Sequence, residues 1–205
     1  MSARASAELG SARRLAPLSS AGVINADVAD KTRFLLLHDY GMGGIWWWVH
    51  ARSAREVLET FAEVEVIDRP ETIAWADADD LPEVDIDAGE MSPGLDSLRA
   101  KRDVQRARGG FGALADRTVV YLRRSWDGED ETDPAIYLME VGADGRRTRQ
   151  VEVREDGTAL KSGPEDWYFN PPVVDLFDPE LADMEISRDE FEAVWLRAQH
   201  EDDAQ

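Results

Sequence analysis

The stretch 34–61, FLLLHDY-GMGG-IWWWVHA-RSAREVLETF, constrains the fold more than any other part of the chain. Two short apolar runs, 34–37 and 45–49, are separated by Gly41, Gly43 and Gly44. The second run holds the consecutive tryptophans Trp46, Trp47 and Trp48. Aromatic and branched runs split by glycines are the pattern of a β-hairpin, because glycine takes a positive φ without a Cβ clash. A loop of even length pairs Tyr40 with Ile45, His38 with Trp47 and Leu36 with Val49 on one face. Leu35, Leu37 and Asp39 then share the other face with Trp46, Trp48 and His50. Both faces are largely apolar, as in strands covered on both sides. The hairpin is therefore expected at the centre of a sheet, with Trp47 in the core and His38 as its cross-strand neighbour.

Ser53 and Glu56 have the spacing of a capping box, in which Ser53 accepts from the Glu56 amide and Glu56 reaches back to Ser53. Val57, Leu58 and Phe61 follow on one helical face. Residues 64–67 alternate with Glu63, Glu65 and Asp68 as a half-buried strand does. The acidic stretch 71–90, ETIAWADADDLPEVDIDAGE, reads as a solvated loop pinned by Ile73, Trp75, Leu81, Val84 and Ile86. Ser92 and Pro93 suit the start of a helix running from 94 to about 106. That helix brings together Arg99, Lys101, Arg102, Arg106 and Arg108, expected to pair with the acidic loop before it; a phosphate or nucleic-acid site is the alternative.

The second half reads as a meander with strands at 118–126, 135–141, 148–154 and 158–161. Asp144-Gly145 and Asp156-Gly157 supply turns, and Val151 and Val153 give the third strand one buried face. Trp167-Tyr168-Phe169 is expected to cap the end of the sheet, a ligand platform being the alternative. Residues 173–184 read as a loop or short helix interrupted by Pro179. A second capping box, Ser187 to Glu190, opens a terminal helix with Phe191, Val194, Trp195 and Ala198 on one face and His200 in its last turn. The tail from Glu201 is expected to fray. The fold class is α+β, a mostly antiparallel sheet packed by two or three helices. Residues 1–30 are expected to form a flexible arm and 31–200 a single domain, with a hairpin-helix half (31–93) and a helix-and-meander half (94–200).

Composition narrows the function. The formal net charge is −20, which disfavours binding to nucleic acid or an anionic membrane. No apolar run approaches the ~20 residues of a membrane helix, and residues 1–20 lack the apolar core of a signal peptide, so a cytoplasmic protein is expected. There is no cysteine, and the three histidines are scattered; neither a metal nor another cofactor is expected. Gly41-Met42-Gly43-Gly44 lacks the Gly-Lys-Ser/Thr ending of a phosphate loop, and a strand follows it. No catalytic residue is singled out. Between Glu63 and Glu90 the only basic residue is Arg69, against eleven acids. Genome or habitat bias explains such acidity in general terms. A basic protein partner explains its concentration here, with Trp75, Asp77, Asp79, Asp80 and Glu83 as the partner-binding residues.

In the last part of the chain, RQVEVREDGTAL and MEISRDEFEAVW resemble small acidic bacterial domains of uncharacterised function, some of them grouped with the immunity proteins of toxin systems. The resemblance covers the last quarter to third of the chain, on a charged Asp-Gly turn and an acidic capped helix. It implies a non-catalytic protein-binding role, toxin neutralisation by occlusion. The alternative is an enzyme with a site near the tryptophan hairpin and the Trp167 cluster.

Overall fold

A computed structural model describes residues 30–41, 43–127, 134–166 and 172–200. Residues 1–29 of the expected arm, the Trp167-Tyr168-Phe169 cluster and the tail from Glu201 lie outside the described residues. The fold is α+β, as the pattern predicts, but built on two sheets rather than one, and each is mixed rather than mostly antiparallel.

The first sheet has the order β3-β1-β2-β4. Its centre is the expected hairpin, β1 (Thr32–Asp39) and β2 (Gly44–Ala51). Antiparallel β3 (Glu65–Ile67) flanks β1, and β4 (Glu83–Asp85) runs parallel to β2. The faces are as predicted, but the register is shifted by two residues. Leu36, not His38, lies opposite Trp47, and His38 lies opposite Ile45. Asp39 ends the strand because its Oδ1 accepts from the Gly41 amide at 2.7 Å, while the Tyr40 amide donates to the Gly43 carbonyl at 3.1 Å. Gly44 joins β2, where a Cβ would fall 2.3 Å from Leu37 Cδ1.

Both faces of this sheet are covered. Leu36, Trp47 (1% exposed) and Val49 pack against α1 (Ala54–Thr60) and α3 (Leu95–Arg106) through Val57, Phe61, Leu95 and Leu98. Leu35 and Trp48 pack against α2 (Pro70–Asp77) through Ala76 and Ile73. Ser53 caps α1 as expected, accepting from the Glu56 amide at 3.0 Å, but the Glu56 carboxylate reaches one residue further back, to the Arg52 amide at 2.6 Å. At α3 the N-cap is Gly94, at φ 91°, and Ser92 offers only its backbone carbonyl, to Leu95. The acidic stretch expected as a loop is α2 and β4. Pro70 stands at the first helical position, where its missing N–H costs nothing.

The second sheet has the order β5-β6-β7-β8-β9. Its antiparallel strands are β5 (Val119–Trp126), β6 (Ala135–Gly142), β7 (Arg147–Arg154) and β8 (Ala159–Ser162), close to their expected bounds. A short parallel strand, β9 (Gln199–His200), takes His200 out of the helix end where it was expected. α4 (Arg188–Trp195), capped by Ser187, lays Phe191 on Leu138 and Val151. The opposite face, Val120, Leu122, Met139 and Val141, is covered by Leu114 and Leu176, with Leu181 and Met184 of a 3₁₀ helix, Pro179–Met184. Pro179 starts that helix rather than interrupting it, behind an Asp178 cap.

One buried cation joins the halves. Arg102 (1% exposed) donates to the Phe61 carbonyl at 2.8 Å, to the Asp175 carboxylate at 2.9 Å and to Gln105 Oε1 at 2.8 Å. Asp175 also accepts from the backbone amides of Glu63 and Phe177. Glu63 is held at φ 55°, a left-handed conformation that costs a side-chain-bearing residue energy. Its amide is tied to Asp175, and its carbonyl accepts from His38 Nδ1 at 2.9 Å.

Candidate functional site

The predicted partner-binding residues sit on and after α2, at the edge of the first sheet, and separate into two groups. Asp77 is ion-paired with Arg33, whose guanidinium also stacks 3.8 Å over the Trp48 ring. Glu83 is bonded to His50 Nε2 and lies 3.9 Å from Arg33. These two carboxylates therefore tie α2 and β4 to the hairpin. Trp75, Asp79 and Asp80 face outward. Trp75 is 47% exposed and rests edge-on against Trp46, centroids 5.3 Å apart. Asp79 accepts from the Asp80 amide, and among the described residues neither carboxylate is paired with a cation.

Four other acids of 63–90 are paired elsewhere. Asp85 and Asp87 share Lys31, and Asp87 also binds Arg52 at 2.7 Å. Hydrogen bonds from Arg52, then Lys31, hold the Asp87 carboxyl down at about 2. Glu63 and Glu65 turn to the second half, pairing with Lys101 and Arg146. The basic residues in and just after α3 are paired within the chain, but not with the acids of 71–90 as expected. Lys101 binds Glu63, Arg102 binds Asp175, Arg106 donates to the Glu59 carbonyl and Arg108 binds Glu180; of these basic residues Arg99 reaches the 71–90 stretch, at the Ala88 carbonyl.

A second region was not singled out in the sequence. Where the two sheets meet there is a cleft of about 430 Å³. The turn of the hairpin forms one wall with His38, Asp39 and Tyr40, and β5 and β7 form the other with Arg124 and Arg147. Leu122 and Met139 line it between them. Arg124 follows from the alternation of β5, two residues beyond buried Leu122. Arg147 does not follow from alternation. A bulge shifts the β6–β7 register, so that Glu140 pairs with Arg149 and Val141 with Arg147. Without it, Arg147 would share the α4 face with Arg149; the extra residue re-aims it into the cleft. Burial first, and then the charge of Arg124, pull the Arg147 guanidinium below its ordinary value. Its Nε is buried without a hydrogen-bond partner.

A third concavity, about 570 Å³, lies between α4 and the second sheet, over Ile136, Leu138 and Val153. Beside it, Arg149 bridges Glu140 and Glu192 and stacks on Phe191 and Trp195, an arrangement that fastens α4 to the sheet. Among the described residues no group of three or more His, Asp or Glu is placed to hold a metal ion, and no helix is long and apolar enough to cross a membrane. Comparison with protein-family models, with curated proteins and with solved structures found no match.

Proposed function

We propose that the protein is a non-catalytic binder of a basic protein surface, acting by occlusion as toxin-neutralising immunity proteins do. The observation that carries this reading is the end of α2. Asp79 and Asp80 are exposed, and without a cation partner among the described residues, just past the C-terminus of the helix, where the backbone dipole disfavours negative charge. They lie next to a half-exposed tryptophan already braced by Trp46. An aromatic anchor beside uncompensated carboxylates matches what a basic partner requires: fast electrostatic association, then a desolvated hot spot. Asp77 and Glu83 act in this reading by positioning α2 and β4. The likeness of the C-terminal part to small acidic bacterial domains of uncharacterised function, some of them grouped with immunity proteins, points to the same role. A cytoplasmic setting without a nucleic-acid partner accords with the charge of −20 and the absence of cysteine.

The test is affinity capture from the native cell extract with wild-type bait and with the triple variant Trp75→Ala, Asp79→Asn, Asp80→Asn. A basic protein held by wild type, lost by the variant and released as salt is raised is the expected result. Equal recovery by both baits would overturn the reading. The alternative, an enzyme near the hairpin, has one observation in its favour: the cleft beside His38, Asp39 and Tyr40. Its other expected part, the Trp167 cluster, lies outside the described residues.

A further inference from the structure

We infer that the cleft between the two sheets is a binding site for a small molecule bearing an oxyanion, a phosphate or a carboxylate, gripped by Arg124 and Arg147. This is independent of the protein-binding reading, which concerns the face of α2.

The inference starts from charge. In a chain with net charge −20, two neighbouring arginines share one wall, and among the described residues neither has a carboxylate partner. Arg147 donates from one terminal nitrogen to Gln150 Oε1 at 2.8 Å, while its buried Nε donates to nothing. Like charges brought together in a partly buried place repel, and an unsatisfied buried donor adds to the cost. The lowered pKa of Arg147 records the same situation. An oxyanion held in the cleft offsets the repulsion between the two guanidinium groups, because a planar guanidinium matches phosphate and carboxylate with paired N–H donors.

Among the described residues none of the carboxylates lining the cleft is ion-paired with either arginine: Glu63 pairs with Lys101, Glu65 with Arg146 and Asp175 with Arg102, while Asp39 and Asp178 accept from the Gly41 and Glu180 amides.

The facing wall adds to the site. His38 stands on this wall, its Nδ1 donating to the Glu63 carbonyl at 2.9 Å. The carbonyl it meets belongs to the one non-glycine among the described residues held at positive φ, and strain of this kind gathers at ligand sites. Leu122 and Met139 offer apolar surface, so a ligand with a charged head and a short apolar body fits both kinds of lining. About 430 Å³ is in the size range of small-molecule sites.

Two probes test this on the full chain: inorganic phosphate and succinate, titrated by calorimetry and by thermal melting at constant ionic strength set with sodium chloride. At least one probe is expected to bind and to raise the melting temperature, since a ligand of the folded state stabilises it. The stronger probe tells phosphate from carboxylate. Arg147→Gln and Arg124→Gln are each expected to weaken binding about tenfold or more, the loss of one charge-assisted contact. Arg188→Gln, on α4, is expected to leave it unchanged. Should Arg147→Gln not fold, the exposed Arg124 carries the test. Failure of both probes to bind wild type below about 10 mM, a concentration corresponding to under 3 kcal/mol of binding, overturns the inference. So does binding by Arg124→Gln equal to that of wild type.

Discussion

The two sheets hold their strands in place by different means. In the second, β5 to β8 each pair with the next strand in the chain, and Asp144-Gly145 and Asp156-Gly157 make two of the connections. Gly145 stands at φ 79° with the Val174 carbonyl 2.4 Å from where a Cβ would be, so turn chemistry and docking demand the same residue. In the first sheet only β1 and β2 are a local pair. β3 and β4 are brought in from beyond a helix each, β4 in parallel. Its central strands are apolar on both faces, one against α1 and α3 and the other against α2. Local pairing lets turns set register; burial on both faces lets the helices set it. A slip of one residue exchanges the faces of a strand, whereas a slip of two returns each side chain to its own face. That is why alternation assigned every hairpin residue to its face and yet placed His38, rather than Leu36, opposite Trp47.

The sharpest way to break this comparison is at Trp47, the largest side chain fully buried in the first sheet. Trp47→Ala is expected to cost about 3–5 kcal/mol, as large aromatic truncations in cores do. Urea unfolding, read by circular dichroism, measures it. A near-unchanged midpoint would show that the hairpin is not the centre of the first core.

Arg102 tests whether the halves unfold together. Arg102→Met keeps an apolar stem but leaves Asp175 without its cation. The expected cost is about 3 kcal/mol, because breaking a buried pair strands the remaining charge. The first and second sheets are then expected to melt in two separate steps in place of one, seen by calorimetry. A single transition at the wild-type temperature would mean that the other contacts of the joint suffice.

The smallest effect compares like with like. Ser53 and Ser187 each accept from the amide three residues on, at 3.0 and 3.2 Å, one in each half. Ser53→Ala and Ser187→Ala are each expected to cost about 1 kcal/mol. If the halves are one cooperative unit, the two variants shift the same transition by similar amounts. A shift confined to the spectroscopic signal of one half would sharpen the contrast instead.

What the chain determines by itself is local. Period-two patterning and glycine placement specify the hairpin, its two buried faces and the four strands of the meander. Capping serines specify the starts of α1 and α4, because these signals act within a few residues. The tertiary structure decided the rest. α2 is a short helix whose acids continue to its C-terminal end; it stands because Ile73 and Ala76 bury against the tryptophan face, and helices this short draw their stability from packing. The division into two sheets and the parallel pairing of β4 and β9 rest on contacts remote in sequence. Of the predicted site residues, Trp75, Asp79 and Asp80 stand outward, while Asp77 and Glu83 are drawn into pairs with Arg33 and His50 from the hairpin. Arg124 was legible as the continuation of an alternating strand. Arg147 was not, since a bulge of one residue turned it into the cleft. Ion pairs such as Arg102 with Asp175, separated by 73 positions, have no signature in the sequence. Coulomb attraction acts through the distance that folding creates, not along the chain.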